Sequence, residues 1–259
     1  MRLVKAQQRF GFKFSQSGAH IARTMMLDEL RILFARLPTT ASQNSYRKAI
    51  EEDNLLQKNT SRTRSLTCRH LIDLYSLDPQ LPLFRNFRRL WDTTPDARPL
   101  LACQMAQTRD PFLRLSQQKI LNLPLGAVLR RVDMEQLFAD RYPDRFSPST
   151  LKSLAQNLNA TWTHAGFLCG RVKKVRTDPN IHPVNVAFAL WLGALQGASG
   201  IRLFNTDWIK LLNCRLEQLQ DLARQASFSG LLTYKHSSEV IEINFPDYLI
   251  KDEEALLYE

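Results

Sequence analysis

The sequence predicts a mainly α-helical protein, a bundle of helices ending in a winged helix-turn-helix that carries a short β-hairpin. Three observations predict it. Glycine is scarce, 9 residues in 259, where usage of about 7 % would give twice as many. That leaves little material for the tight turns of a β-barrel or the phosphate-cradling loops of a nucleotide-binding α/β fold. Apolar residues recur at spacings of three and four through most of the chain, which is the helical period. Near the end that period gives way to alternation, the mark of strands.

The first helical stripe is Ile21, Met25, Leu27, Leu30, Leu33, Phe34 and Leu37, and Pro38 stops it. Tyr46 and Ile50 belong to a second helix that runs into Glu51, Glu52 and Asp53. Thr60 or Ser61 can cap a third, with Leu66, Leu71, Leu74 and Tyr75 inside and Asp78-Pro79 at its end. Shorter helices are expected over 83–92, 97–108 and 111–121, punctuated by Pro82, Pro95, Pro111 and Pro124. The second half opens near Val132, with Met134, Leu137 and Phe138 on a short helix. Ser147-Pro148-Ser149-Thr150 is a strong start signal, a cap residue followed by proline at the first helical position. The helix behind it buries Leu151, Leu154, Leu158 and Trp162 and closes at Gly166.

From Ile181 to Ile201 there is no charged side chain, but Pro183, Asn185, Gln196 and Ser199 interrupt the run. Its dense part, Val186 to Leu195, falls well short of the ~20 residues needed to cross a bilayer. We read 184–198 as the central buried helix of a soluble domain, with no membrane role. The N-terminal residues up to Phe14 mix basic and apolar side chains without the continuous apolar core of a secretory signal.

The C-terminal segment changes character. Asn205 or Thr206 caps a short helix with Trp208, Ile209, Leu211 and Leu212. After a break at Asn213-Cys214, a second helix over 215–227 buries Leu216, Leu219, Ala223 and Ala226, and Gly230 ends it. Leu232 and Tyr234, then Ile241, Ile243 and Phe245, alternate on either side of Ser237-Ser238 as a hairpin with one buried face. Helix, tight turn, helix, hairpin is the order of a winged helix-turn-helix. Two domains are therefore expected. Residues 1–132 form a basic helical domain. Residues 133–259 form a helical domain ending in the winged module, about 203–246, and an acidic tail.

Charge separates the same regions. The net charge is +10. Residues 1–132 hold 22 basic and 10 acidic side chains, residues 141–235 hold 12 and 5, and residues 236–259 hold 1 and 7. Two basic bodies attract phosphate backbones or anionic surfaces, although charge of this size also serves solubility alone. On the expected recognition helix, Arg215, Gln218 and Arg224 point outward with Asp221 and Gln225, and Lys235 and His236 fall at the wing tip. Arginine and glutamine suit base edges and phosphates because they offer forked donors or a donor–acceptor pair. The same geometry serves protein docking, and Glu217 and Asp221 weaken the electrostatic case.

The run Arg171, Lys173, Lys174 and Arg176 is expected in a loop between two helices, touching phosphate or merely solvated. Arg62, Arg64 and Arg69 fall in the first turns of a helix, where the macrodipole disfavours cations. They need either the acids Glu51, Glu52 and Asp53 or a bound anion. Arg85, Arg88 and Arg89 interleave with Phe84, Phe87 and Trp91, whose rings are expected in the core rather than as stacking platforms.

Catalytic patterns are absent: no P-loop, H-E-x-x-H or G-x-S-x-G run occurs. Cys68, Cys103, Cys169 and Cys214 form no C-x-x-C pair, so a structural zinc is not expected and they read as buried thiols in a reducing cytosol. The reading is a non-enzymatic cytoplasmic protein with no cofactor or metal. Its partner is double-stranded DNA, or else it is a protein-interaction scaffold.

Three stretches resemble the BrxA family of bacterial BREX phage-defence systems. They are Glu52 to Arg64 (EDNLLQKNTSRTR), the Phe146-Ser-Pro-Ser-Thr150 cap with Leu151, Leu154, Trp162 and the Ala165-Gly-Phe-Leu168 that follows, and the terminal helix-hairpin. The match runs loosely from about residue 15 to 245, and the chain is longer than the family around 76–132. The resemblance implies a NusB-like helical body, helix-turn-helix elements, binding of double-stranded DNA, and work beside other BREX proteins; the two basic bodies and the short reading helix predict that the binding has low sequence specificity. It implies no catalytic residues. Arg62, Arg64 and Arg69 match the family's basic helix start.

Overall fold

The computed structural model describes residues 2–237 and 240–257; Ser238, half of the expected hairpin turn, lies outside them. The fold is mainly helical, with two small antiparallel sheets. The first body is built from α1 (Arg2–Phe10), a 3-10 turn (Ala19–Ile21), α2 (Leu27–Arg36), α3 (Gln43–Glu51), α4 (Ser61–Tyr75), α5 (Pro82–Trp91) and α6 (Arg98–Gln107). Thr60 caps α4 as its sequence suggests, its Oγ1 accepting from the Thr63 N–H at 3.1 Å. Phe34, Tyr46, Phe84, Phe87 and Trp91 pack their rings against one another in the core. The aromatics between the arginines of α5 are thus core, as expected. Arg88 is drawn in with them and donates to the carbonyls of Phe34 and Leu37 and to Asp92.

The second group is α7 (Pro111–Leu121), β1 (Val128–Leu129), α8 (Arg131–Arg141), α9 (Pro148–His164), β2 (Leu168–Cys169) and β3 (Lys174–Arg176). β3 lies between β1 and β2 and pairs antiparallel with both, Val128 opposite Val175 and Cys169 opposite Val175 on the other side. Ser147 caps α9, accepting from the Thr150 N–H at 3.2 Å. Trp162 of α9 donates to Ser116 of α7 at 2.9 Å, and Phe112 of α7 packs against Phe138, Tyr142 and Phe146. This corrects one expectation. The basic run 171–176 is not a loop between helices but the turn and return strand of a hairpin. The β1–β3 pairing and the α7–α9 contact join residues on either side of 132.

The third group is α10 (Pro183–Ala194), a 3-10 turn (Gly200–Asn205), α11 (Asp207–Lys210), α12 (Leu216–Phe228), β4 (Thr233–Ser237), β5 (Val240–Asn244) and α13 (Lys251–Ala255). α10 is the charge-poor segment and is buried from Val184 to Gly193. Among the described residues, no helix is long and apolar enough to cross a membrane. The acidic tail is not loose: Glu253 pairs with Arg85, Asn86 donates to the Tyr248 carbonyl at 2.7 Å, and Arg89 lies over the Tyr248 ring.

All three groups share one continuous hydrophobic core. A buried polar cluster ties the first two. Nδ1 of His20 lies 2.9 Å from Asp110, and its Nε2 lies 2.9 Å from the Thr161 hydroxyl of α9. Asp110 also accepts from the N–H groups of His20, Phe112 and Leu113, which makes it the cap of α7. The order Asp, His, hydroxyl resembles a catalytic relay, but the three residues are at most 1 % exposed, so the hydroxyl meets no solvent. Gly18 permits the close approach, since a Cβ there would stand 2.3 Å from the Asp110 carboxylate.

Candidate nucleic-acid interface

α9 is seventeen residues long and contains no acidic side chain. Leu154, Leu158 and Trp162 turn inward, while Asn157 and Thr161 meet the 19–25 segment through His20 and Met25. What remains is one stripe along the helix, with Ser149, Lys152, Ser153 and Gln156 exposed and Ala160 and Thr163 half-buried beyond them. Among the described residues, Lys152, Ser153 and Gln156 make no side-chain hydrogen bond or ion pair with any other group.

Four residues after α9 the chain enters the β2–β3 hairpin. Its tip carries Arg171 and Lys173, both exposed and without an acidic partner among the described residues, flanking Val172, which is 93 % exposed. Gly170 shapes the turn. Its φ is +91°, and a Cβ there would stand 2.2 Å from the Lys173 carbonyl oxygen. Lys174 folds back on the same turn and donates to the Gly170 carbonyl at 2.8 Å. Gly170→Ala is expected to break the tip, costing on the order of 1–3 kcal/mol for the strained backbone alone and reducing duplex binding. A parent-like melting curve together with parent-like binding would show that the turn tolerates a side chain.

Arg176 departs from the expectation of a phosphate contact. It is 2 % exposed. Its guanidinium donates to the carbonyls of Ile120, Phe167 and Thr177 and stands 3.3 Å from Asp178. It clasps the end of α7 to the hairpin and is removed from the candidate surface. Nor are all four cysteines buried: Cys68 and Cys103 are, but Cys169 is exposed and Cys214 half-buried.

The C-terminal residues have a different character. Arg215 occupies the N-cap position of α12, and Gln218 and Arg224 are exposed. Arg224 is tied to Asp221 at 3.0 Å, and Lys235 lies 3.9 Å from Glu242 across the β4–β5 pair. His236 is exposed beside the Tyr234 ring. Leu216, expected in the inner stripe of that helix, is instead 44 % exposed. Residues 111–177 hold 11 basic and 4 acidic side chains, a net +7, whereas residues 183–250 hold 5 and 6, a net −1. The favourable field therefore belongs to the second group of elements, not to the third.

Arg62 and Arg69 are exposed and Arg64 is half-buried on α4, and none of the three forms an ion pair among the described residues. The acids Glu51, Glu52 and Asp53 do not neutralise them. The Nε of Arg64 is sealed from solvent without a partner. Among the described residues, no three His, Cys, Asp or Glu side chains come together as a metal site. No family model matches this chain, and no curated protein matches it.

Proposed function

We propose that the chain binds duplex DNA through residues 111–177, read as a winged helix in which α9 enters the major groove and the β2–β3 hairpin is the wing. The observation that carries this reading is the acid-free stripe of α9, on which Lys152, Ser153 and Gln156 have no partner among the described residues, followed at once by a hairpin tip with two cations unpaired among them. The element order α7–β1–α8–α9–β2–β3, with β3 central, supports it. Base readout on that stripe rests on Gln156 and three short hydroxyl side chains, while phosphate contacts rest on Lys152, Arg171 and Lys173. Affinity should then depend more on backbone than on sequence.

Residues 183–245 are a second winged helix-turn-helix in this reading, with α12 and the β4–β5 hairpin in the corresponding places. The helical body before α7 is the part that the BrxA resemblance makes NusB-like. That resemblance also supports a role as an accessory factor beside other proteins of a BREX-like defence system. The alternative, a protein-interaction scaffold without a nucleic-acid role, draws on the C-terminal group. Its helix and hairpin carry internally paired charges, and Phe228 and Val240 are 91 % and 69 % exposed.

A mobility-shift titration at two salt concentrations tests the reading. With about three phosphates neutralised, one each by Lys152, Arg171 and Lys173, affinity is expected to fall roughly 40-fold between 50 and 200 mM salt. Lys152→Ala with Gln156→Ala should weaken binding by roughly 2–4 kcal/mol if both side chains reach the duplex. It should leave unfolding within about 0.5 kcal/mol of the parent. Binding that is absent, or unchanged by salt, leaves the scaffold as the better reading.

A further inference from the structure

A cleft of about 420 Å³ separates the 13–22 segment from α4, and its polar lining is Lys13, Ser15, Ser17, Arg69, His70 and Asp73. His70 is the unusual member. It is 8 % exposed and its imidazole makes no hydrogen bond with any described residue. Its Nδ1 is sealed from solvent without a partner, so Nε2 is the nitrogen left to the cleft. A buried imidazole with no hydrogen bond is costly to leave so.

The charges around that ring are mostly positive. Arg69 lines the cleft and has no acidic partner among the described residues, and Arg23, just past the 3-10 turn, also acts on the ring. Asp73, the acid on the same wall, is already held by Lys13 at 2.8 Å. Burial first, then Arg23 and Arg69, push the His70 pKa below its ordinary value, against an opposing pull from Asp73. An anion between Arg69 and Nε2 would supply the missing negative charge and an acceptor for an Nε2–H, while the sealed Nδ1 stays without a partner. Forked guanidinium donors beside an imidazole N–H match the several oxygens of a phosphate group better than the two of a carboxylate.

We propose that this cleft binds a phosphate group, held by Arg69 and His70 with Arg23 reinforcing the field. Two sources share that chemistry: the backbone of a duplex and a free phosphate-bearing molecule. The duplex source rests on the reading of α9 as the groove-entering helix. The 3-10 turn that forms one wall of the cleft is seated on α9 through the His20–Thr161 and Asn157–His20 hydrogen bonds, so a duplex on α9 would run past this wall. The anion site itself does not depend on that reading.

The test is a pH titration of the His70 ring by NMR in the full chain, with its resonance assigned through His70→Gln. Inorganic phosphate is compared with chloride at matched ionic strength. Phosphate is expected to raise the His70 midpoint by about one pH unit, as an opposite charge within contact distance does. Arg69→Ala, a change at an exposed residue, should abolish most of that rise. A short duplex should produce the same rise in the parent. It should fail to do so in Lys152→Ala with Lys173→Ala, while inorganic phosphate still succeeds there. A phosphate effect with no duplex effect keeps the site and assigns it to a free phosphate-bearing ligand. An unmoved midpoint, or an equal rise in Arg69→Ala, overturns the site.

Discussion

Reversing Arg171 and Lys173 together to glutamate is expected to lower affinity for duplex DNA on the order of a hundredfold at 50 mM salt. It should also reduce the slope of log affinity against log salt by about two, one for each phosphate that is no longer neutralised. The weakening should fall on all duplexes alike, because phosphate contacts position a protein without reading sequence. Both side chains are exposed and unpaired among the described residues, so unfolding should move by no more than about 0.5 kcal/mol. The informative comparison is Arg215→Ala with Arg224→Ala on α12. Arg224 already has Asp221 as a partner, and the surrounding group of elements is net negative. That pair is expected to bind within a few fold of the parent. If the α12 pair loses binding and the hairpin pair keeps it, the groove-entering helix is α12 and the assignment is reversed.

The contrast between these two helices shows how far the sequence can be read. The cap at Ser147-Pro148 and the inward stripe of Leu154, Leu158 and Trp162 are local signals, and α9 stands where they place it. The C-terminal hairpin is equally legible, because Tyr234, Ile241 and Ile243 alternate over strands of five residues. The first sheet is not. Its strands are two or three residues long, too short for alternation to rise above chance. β3 pairs on one edge with the neighbouring β2 and on the other with Val128, far back in the chain, a contact no local pattern reveals. Without that sheet, the basic run reads as a loop and Arg176 as one more free cation. Its burial depends on the Ile120 and Phe167 carbonyls, which no local pattern reveals. The surface of α9 proposed to meet DNA escapes a sequence reading for a related reason. Ser149, Ser153 and Gln156 are ordinary residues, and their signal is the absence of any acid on a long helix that leads straight into a basic hairpin. Attention to charged side chains alone passes over it.

The largest effect on stability is expected at Asp110. Its carboxylate meets the His20 ring and three backbone N–H groups in a site almost closed to water. Asp110→Ala removes all of these acceptors together. It leaves two α7 N–H groups uncapped and the His20 ring half unpaired, and it opens space against Gly18. Removing one member of a buried charged network costs about 3–5 kcal/mol, which for a chain of this length is a fall of roughly 10 °C in Tm. The pH dependence gives the destabilisation a signature. Burial alone would raise the Asp110 pKa, but His20 and the hydrogen bonds from the His20 and Leu113 backbone outweigh it and hold the carboxyl below its ordinary value. A carboxyl depressed in the folded state adds stability that is fully present above its unfolded pKa, about 3.9, and is lost as pH falls through the folded value. In urea denaturation the gap between parent and Asp110→Ala should therefore be constant from pH 7 to about 5 and close progressively below about pH 4. A gap of less than about 1 kcal/mol at pH 7, or one that widens on acidification, would mean that the cluster does not hold α7, α9 and the 19–25 segment together as a charged unit.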